Sequence, residues 1–291
     1  MKRITLLLLF CITIILMPSC EKEESKISEP KVIELSERQK NIVISNNQFA
    51  FSLLQKVSEN EDASKNIMIS PLSINLALAM TTNGAKENTL SQMLETLGFQ
   101  DFEMEEFNEF FLLLVEALLE LDNQVDLSIA NSIFYRNTFD VLQSFLDINQ
   151  EYYNAEISAL DFNSPDAVTT INNWVEDNTN NKITEIIDQI DPDVVMYLIN
   201  AIYFYGNWKY EFDKSQTQDA NFYLANGSTV NVPMMKMEAN LKYSSAGNIQ
   251  IIELPYGRGN YVMNLILPEH NQSVNDLLAN FDYTLEKPNP T

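Results

Sequence analysis

The amino-acid sequence predicts an α+β fold, with helices concentrated before residue 194 and strands after it. The chain has 291 residues, of which 45% are hydrophobic, so it can bury a large core and is not expected to be disordered. Apolar residues recur with a helical period in the first region, whereas short apolar runs bounded by turn residues fill the second. Because helices and strands do not alternate, the pattern favours α+β over α/β, and the lack of a second linker favours one domain.

Caps and helix breakers indicate where the helices begin and end. A first helix is predicted over 41–58, where the apolar side chains share one face. Ser70 is expected to cap the second helix because its hydroxyl can accept a free backbone N–H; Pro71 fits the first helical position, and Gly84 ends the helix. Further helices are predicted over 87–97, 105–121, 143–154, 164–178 and 273–281.

Strands are indicated by alternating or continuous apolar runs. The segment 125–135 alternates apolar and polar residues, as expected of a strand with one face in the core. Turn signals such as Asn226-Gly227 separate the later strands. The predicted strands are 125–135, 157–162, 194–204, 220–224, 229–234, 240–243, 249–256 and 261–267.

One amide interrupts the most apolar of these strands. Residues 194–199 are continuously apolar and predict a strand buried on both faces, and Asn200 follows directly. A buried amide without hydrogen-bond partners costs about 1–3 kcal/mol. Asn200 therefore requires partners elsewhere in the chain, and the hydroxyls of Ser70 and Ser73, at an apolar helix start, are the best candidates.

The N-terminus has the pattern of a secretion signal. Lys2 and Arg3 precede the apolar run 4–17, which is too short to span a membrane. A small residue before Cys20 resembles a bacterial lipobox, which implies that residues 1–19 are removed as a signal peptide and that Cys20 is acylated. An ordinary signal peptide cleaved nearby is the alternative. Both cysteines of the chain lie in this segment, so the acylated mature chain would have no thiol for a disulfide.

Residues 20–40 are predicted to form a flexible acidic tether, followed by one domain over 41–291. The acidic run after Cys20 resembles the export tag of surface lipoproteins in Bacteroides-like bacteria. That resemblance implies an outer-membrane or cell-surface lipoprotein that faces the exterior. The net charge of −23 disfavours nucleic acid as a partner, because both surfaces are negative.

Common catalytic and metal-binding patterns are missing from the sequence. His270 is the single histidine and lies in a turn, so a Ser-His-Asp or Cys-His site is not expected. One histidine without a mature thiol leaves no usual zinc cluster, and seven glycines include no phosphate-binding loop. The segment 161–166 has calcium-loop spacing, but Asp166 stands where the sharp turn needs glycine. No enzymatic activity, cofactor or metal is predicted.

A series of short motifs runs along most of the chain. The two most specific are Asn-Ala-Ile-Tyr-Phe-Tyr-Gly-Asn-Trp at 200–208 and Ile-Ser-Pro-Leu-Ser-Ile at 69–74. The others occupy 47–51, 82–86, 127–131, 171–175 with Thr179 and 182–183, 232–235, 252–256 and 265–268. No one motif is decisive, but together and in this order they strongly resemble the serpins, a family of suicide inhibitors of proteases.

The resemblance implies a monomeric inhibitor of serine proteases, with cysteine proteases as a second class of target. In serpins the target protease cuts an exposed reactive loop, which inserts as a new strand in the main sheet while the protease is held as an acyl-enzyme. The resemblance further implies that Ser70, Ser73 and Asn200 form the shutter, where strands of the main sheet part. Trp208 matches the aromatic residue at the breach, where loop insertion begins.

The family's C-terminal strands, small-residue hinge and reactive loop are not found in this sequence after about residue 281, and 282–291 is predicted to be a polar tail without family character. The strand 194–204 is therefore expected to be an exposed apolar sheet edge, and the chain by itself is expected to fold poorly or aggregate. A non-inhibitory binding or structural protein on the same fold is the alternative function, and the hinge residues would distinguish the two.

Overall fold

The computed structural model describes residues 32–62, 65–224, 226–246, 249–268 and 272–280. The predictions for the signal peptide, Cys20, most of the tether, His270 and the tail 282–291 lie outside these residues. The described helices are α1 (Glu37–Asn60), α2 (Pro71–Thr82), α3 (Glu87–Leu97), α4 (Met104–Glu120), α5 (Gln143–Tyr153), α6 (Pro165–Asn178) and α7 (Val274–Asn280). The strands are β1 (Val125–Arg136), β2 (Glu156–Leu160), β3 (Met196–Gly206), β4 (Gln218–Tyr223), β5 (Thr229–Met234), β6 (Lys242–Ala246), β7 (Ile249–Pro255) and β8 (Val262–Pro268).

The strands form three separate sheets, and the one that carries the candidate site has the order β2-β1-β3. Strand β2 is parallel to β1, and β3 is antiparallel to it, with Asn131 of β1 opposite Asn200 of β3. Strands β4 and β5 form a hairpin, and β6, β7 and β8 form an antiparallel meander. The α+β class predicted from the sequence is therefore confirmed.

Several helix boundaries follow directly from local chemistry. Ser36 and Gln39 form a reciprocal capping box at the start of α1, so this helix begins within the stretch 20–40 that the sequence predicts to be a flexible tether. Ser70 caps α2 and Pro71 takes its first position, as predicted. Gly98 ends α3 with a φ of 81°, in the left-handed region that glycine adopts without strain.

Two hydrophobic clusters flank the β2-β1-β3 sheet. In the larger one, Phe99 packs edge-to-face on Phe107 and Phe110, and residues of α2 and α3 complete the cluster. The second cluster joins α6 to the opposite face of the sheet, with Phe134 of β1 against Trp174. The sheet is thus a central layer with apolar packing on both sides.

Strand β3 is less buried than its sequence predicts. Met196 and Leu198 pack toward the larger cluster and Tyr197 and Ile199 toward the second, so both faces are covered, but among the residues of β3 only Ala201 is fully buried. The exposure comes from one edge of the strand. In the described part of the chain β1 is the one strand that pairs with β3, so the other edge of β3 is open. The strand also begins at residue 196 and not at 194, since the preceding residues form a turn.

No helix among the described residues is long and apolar enough to cross a membrane. In the same part of the chain, no group of three or more histidine, cysteine or acidic side chains is arranged to hold a metal ion.

Candidate functional site

The start of helix α2 and the centre of strand β3 meet through two side chains. Ser73, in the first turn of α2, donates its hydroxyl hydrogen to the side-chain oxygen of Asn200, with 2.5 Å between Oγ and Oδ1. The same hydroxyl oxygen lies 3.1 Å from the backbone carbonyl oxygen of Asn200. The helix is therefore attached to the open edge strand through a polar contact, while the residues around it are apolar.

The amide nitrogen of Asn200 extends this contact into the sheet. It donates to Oδ1 of Asn131 at 2.8 Å and to the carbonyl oxygen of Ala130 at 3.2 Å, both on the neighbouring strand β1. Asn131 in turn donates its own amide to the carbonyl oxygen of Tyr153 at 2.7 Å, at the end of helix α5. One chain of hydrogen bonds thus crosses α2, β3, β1 and α5; we call Ser73, Asn200 and Asn131 the polar cluster.

Ser70 does not belong to the polar cluster. Its hydroxyl accepts the backbone N–H of Ser73 as the helix cap, the side chain is exposed, and it makes no hydrogen bond to Asn200. The expectation that both serines serve as partners of Asn200 is therefore wrong for Ser70, because the capping geometry holds its hydroxyl over the N-terminus of α2. The sequence predicts a buried Asn200, but the residue is half-buried, since it lies on the open edge strand.

Asn131 is the member of the polar cluster that sequence reasoning missed. Asn131 is only 5% exposed. Its side-chain oxygen accepts from Asn200, and its side-chain nitrogen donates to the carbonyl oxygen of Tyr153 at the end of α5. The signal was present, since Asn131 is an amide within the strand predicted over 125–135. The pairing of Asn131 with Asn200 depends on strand register, which follows from the packed sheet and not from either segment alone.

Trp208 lies beyond the end of β3, apart from the polar cluster. Its ring stacks on Tyr256 with 4.3 Å between centroids and 17° between planes, and it meets Phe212 edge-on. Gly206 lets the Tyr256 ring lie close to the end of β3, because a Cβ atom at residue 206 would lie only 3.1 Å from that ring. Burial raises the pKa of the Tyr256 phenol above its ordinary value. Trp208 therefore joins the β2-β1-β3 sheet, at the C-terminal end of β3, to the β6-β7-β8 meander.

The chemistry of the polar cluster is that of hydrogen-bond exchange. Ser73 has an amide and a carbonyl as partners, and neither can act as a general base, so nothing here activates the hydroxyl as a nucleophile. The bonds of the cluster run between side chains or from side chain to backbone, and they can be remade without unfolding a helix. These features define an α+β protein whose main sheet carries a polar cluster beside a strand edge that is open in the described part of the chain.

The chain belongs to the serpin family. The family model described as "Serpin (serine protease inhibitor)" matches residues 44–287. This match extends beyond residue 281 and corrects the expectation that the whole of 282–291 lacks family character. Among curated relatives, Serpin A12 of Rattus norvegicus is 34% identical over 227 residues, which cover 77% of this chain and 55% of that protein. The chain therefore spans about half the length of this relative.

Solved serpin structures are similar to the chain in fold. The thermophilic serpin tengpin in the latent state has a TM-score of 0.75 at 34% identity, with 86% of this chain and 66% of that chain covered. Human thyroxine-binding globulin with a cleaved reactive loop has a TM-score of 0.77 at 30% identity, with 83% and 72% covered. The serpin fold is thus shown for this chain, and at the family level serpins act as inhibitors and not as enzymes.

Proposed function

We propose that this chain is the helical and sheet body of an inhibitor of serine endopeptidases, with cysteine proteases as a second class of target. The whole protein would act through a reactive loop that the target protease cleaves and that then adds as a strand to β3. The observation that carries the proposal is the half-buried Asn200, which is bonded to Ser73 on one side and Asn131 on the other at an open strand edge.

The polar cluster suits a sheet that must accept a strand. Inserting a strand beside β3 requires α2 and β3 to shift relative to each other, and apolar interlocking would oppose that shift through lost packing. Hydrogen bonds of Ser73 and Asn200 can instead break and reform with new partners at small net cost, since a typical bond contributes about 1 kcal/mol. We assign Ser73, Asn200 and Asn131 to the shutter, and Ser70 to capping the helix on which Ser73 lies.

Trp208 is proposed to lie at the breach, where insertion begins. Its stack with Tyr256 connects the end of β3 to the β6-β7-β8 meander, so a strand that enters beside β3 at this end must pass the indole. The covalent chemistry would be performed by the target protease. Its catalytic serine attacks a peptide bond of the reactive loop, and the amine on the far side of that bond departs. The ester between the serine and the loop then persists, because insertion of the loop distorts the protease active site.

The alternative is a non-inhibitory binding or structural protein on the same fold. The similarity to thyroxine-binding globulin favours this alternative, because the name of that relative describes a binding protein. In such a protein the polar cluster would only attach α2 to β3 and satisfy the amides of the sheet. The two functions differ in whether the main sheet accepts the loop.

The decisive experiment uses the product of the complete gene together with trypsin-like and elastase-like proteases. An inhibitor is expected to yield a complex that survives denaturing electrophoresis, and cleavage is expected to raise its melting temperature as the loop inserts. A protease whose catalytic serine is replaced is the matched control and should give no such complex. Cleavage without a complex and without a rise in melting temperature would support the binding function instead.

We further propose that the protein is a monomeric, lipid-anchored protein of the cell surface, attached to the membrane through Cys20 and the tether. The pattern of the first twenty residues supports this assignment. Expression in a bacterium that is fed an azide-bearing fatty acid is expected to label the wild-type protein and not the Cys20→Ser variant. External protease added to intact cells should remove the labelled protein if it faces outward. Label on both proteins would contradict acylation at Cys20.

A further inference from the structure

A cavity of about 350 Å³ opens between four helices, at the C-terminal end of α2 and beside α3, α4 and α5. Its apolar wall is formed by Leu90 of α3, Met104 of α4, and Ile148 and the ring of Tyr152 of α5. This volume is within the range of small-molecule sites, which are mostly apolar and carry a few polar groups that orient the ligand. The proposed inhibition through β3 and a reactive loop makes no use of this cavity.

The amides that line the cavity are already satisfied by one another. Asn83 donates to Oδ1 of Asn108 at 3.0 Å, and Asn108 donates back to Oδ1 of Asn83 at 2.9 Å. The buried hydroxyl of Tyr153 donates to the same Asn108 oxygen at 2.7 Å. This network fixes the relative positions of α2, α4 and α5 around the cavity. It also leaves a ligand few free amide groups to bind, so recognition must come from the apolar wall and from charge.

The charge at the cavity is negative. Glu105 of α4 and Glu151 of α5 line it and are exposed, and no lysine, arginine or histidine of the described residues lines it. Among the described residues neither carboxylate takes part in a salt bridge. Burial raises the pKa of the Tyr152 phenol, and the negative charges of Glu151, Glu105 and Glu109 raise it further. An aromatic ring with two free carboxylates nearby favours a cation.

We propose that this cavity binds a small amphiphilic cation, namely an organic ammonium with an apolar body. The apolar body would lie against Leu90, Met104 and Ile148, and the ammonium group would lie between Glu105 and Glu151. An inorganic cation would leave the apolar wall unused, and an anion would be repelled by both carboxylates. A neutral apolar molecule would gain the wall contacts and lose the charge interaction.

The probe is 2-phenylethylammonium, compared with its neutral analogue 2-phenylethanol and with the anion 3-phenylpropanoate. Binding to the full chain is measured by isothermal titration and by saturation-transfer NMR. We expect the ammonium to bind with a Kd of about 0.1–1 mM, typical of a ligand with few heavy atoms. The neutral analogue is expected to bind about five- to tenfold more weakly, since exposed ion pairs each contribute modestly, and the anion should show no binding.

Substitutions locate the binding and separate charge from shape. The Glu105→Gln, Glu151→Gln double variant keeps the size of both side chains and is expected to lower the affinity about fivefold or more. Glu116→Gln, an exposed change on the same helix α4, is the matched control and should leave the affinity unchanged. Ala85→Leu fills the cavity and should abolish binding without lowering the melting temperature by more than a few degrees.

Three results would overturn the proposal. Equal affinity for the ammonium and its neutral analogue would show that charge plays no part. An unchanged affinity in the double glutamine variant would place the cation elsewhere on this acidic protein. The absence of any signal from the ammonium up to 10 mM probe, about ten times the upper limit of the expected Kd, would show that the cavity takes no such ligand.

Discussion

Asn200→Asp tests the polar cluster directly, because this substitution keeps the size of the side chain, removes its hydrogen-bond donors and places a negative charge on the half-buried position. The amide nitrogen of Asn200 donates to Asn131 at 2.8 Å and to the carbonyl oxygen of Ala130 at 3.2 Å, and a carboxylate can donate to neither. Asn131 cannot turn its amide around to compensate without losing its own bond to the carbonyl oxygen of Tyr153. The 2.8 Å contact would therefore become one between two oxygen acceptors.

The expected loss in the free energy of unfolding follows from the burial of Asn131, the partner that Asn200 leaves without a hydrogen-bond donor. Asn131 is 5% exposed, so its side-chain oxygen would be left without a partner at a cost of about 1–3 kcal/mol, and the second lost bond adds about 1 kcal/mol. We expect Asn200→Asp to lower the free energy of unfolding by about 2–4 kcal/mol. Ser73→Ala should cost only about 1 kcal/mol, because the half-buried Asn200 can replace the lost hydroxyl with water.

The assay is urea unfolding followed by tryptophan fluorescence, at submicromolar protein concentration so that association is suppressed. Asn221→Asp, the same chemical change at an exposed position on β4, is the matched control and should lie within about 0.5 kcal/mol of the wild type. The reasoning is refuted if Asn200→Asp costs no more than this control. It is also refuted if Ser73→Ala proves the more damaging of the two cluster variants.

Three further predictions concern the open edge of β3, the buried Tyr153 and the half-buried Tyr261. Tyr205→Lys on β3, where the ring is 57% exposed, is expected to reduce aggregation of the chain in light scattering over a concentration series, because a charged residue on an edge strand opposes pairing. Tyr153→Phe is expected to lower the free energy of unfolding by about 1 kcal/mol in chemical denaturation, because it removes the buried hydroxyl bond to Asn108. Burial, and secondly the charge of Asp122, raise the pKa of Tyr261 to about 12. The unfolded chain would then lose this phenol proton first, so the free energy of unfolding should fall as the pH rises from about 10 toward 12, as measured by denaturation at each pH.

Each of these predictions has its own contrary outcome. A chain that remains monomeric and melts cooperatively at high concentration without any substitution would show that the open edge of β3 causes no association. Tyr153→Phe without a loss of stability would mean that Asn108 is satisfied by its other partner alone. For the alkaline effect, Tyr261→Phe is the control, and it should flatten the dependence of stability on pH above about 10.

The sequence was most informative where a boundary depends on local chemistry. The cap formed by Ser70, with Pro71 behind it, places the start of α2 within one residue, and Gly98 places the end of α3. The sequence predicts the start of α1 four residues too late, at 41 instead of 37, because the capping box of Ser36 lies in a stretch whose polar composition suggests a linker. Local signals of this kind act over one helical turn and need no tertiary contact.

The candidate site was predicted only in part from the sequence. The need of Asn200 for partners could be inferred from one amide in an apolar run, and the helix that supplies Ser73 could be identified. The structure changed two details: Ser70 only caps the helix, and Asn131 bonds to Asn200 instead. Both depend on how β1, β3 and α2 pack together, which is set by register and by the apolar clusters on each face.

The sequence by itself determined the α+β class, most of the elements and the resemblance to serpins, because caps, breakers, apolar periods and motifs are local properties of the chain. Tertiary structure alone decided which polar groups meet. It set Asn131 opposite Asn200 through strand register, left β3 half-buried because one strand pairs with it in the described residues, and formed the acidic cavity between four helices. These features join residues that are far apart in the chain, and the contacts between such residues exist only once the core has packed.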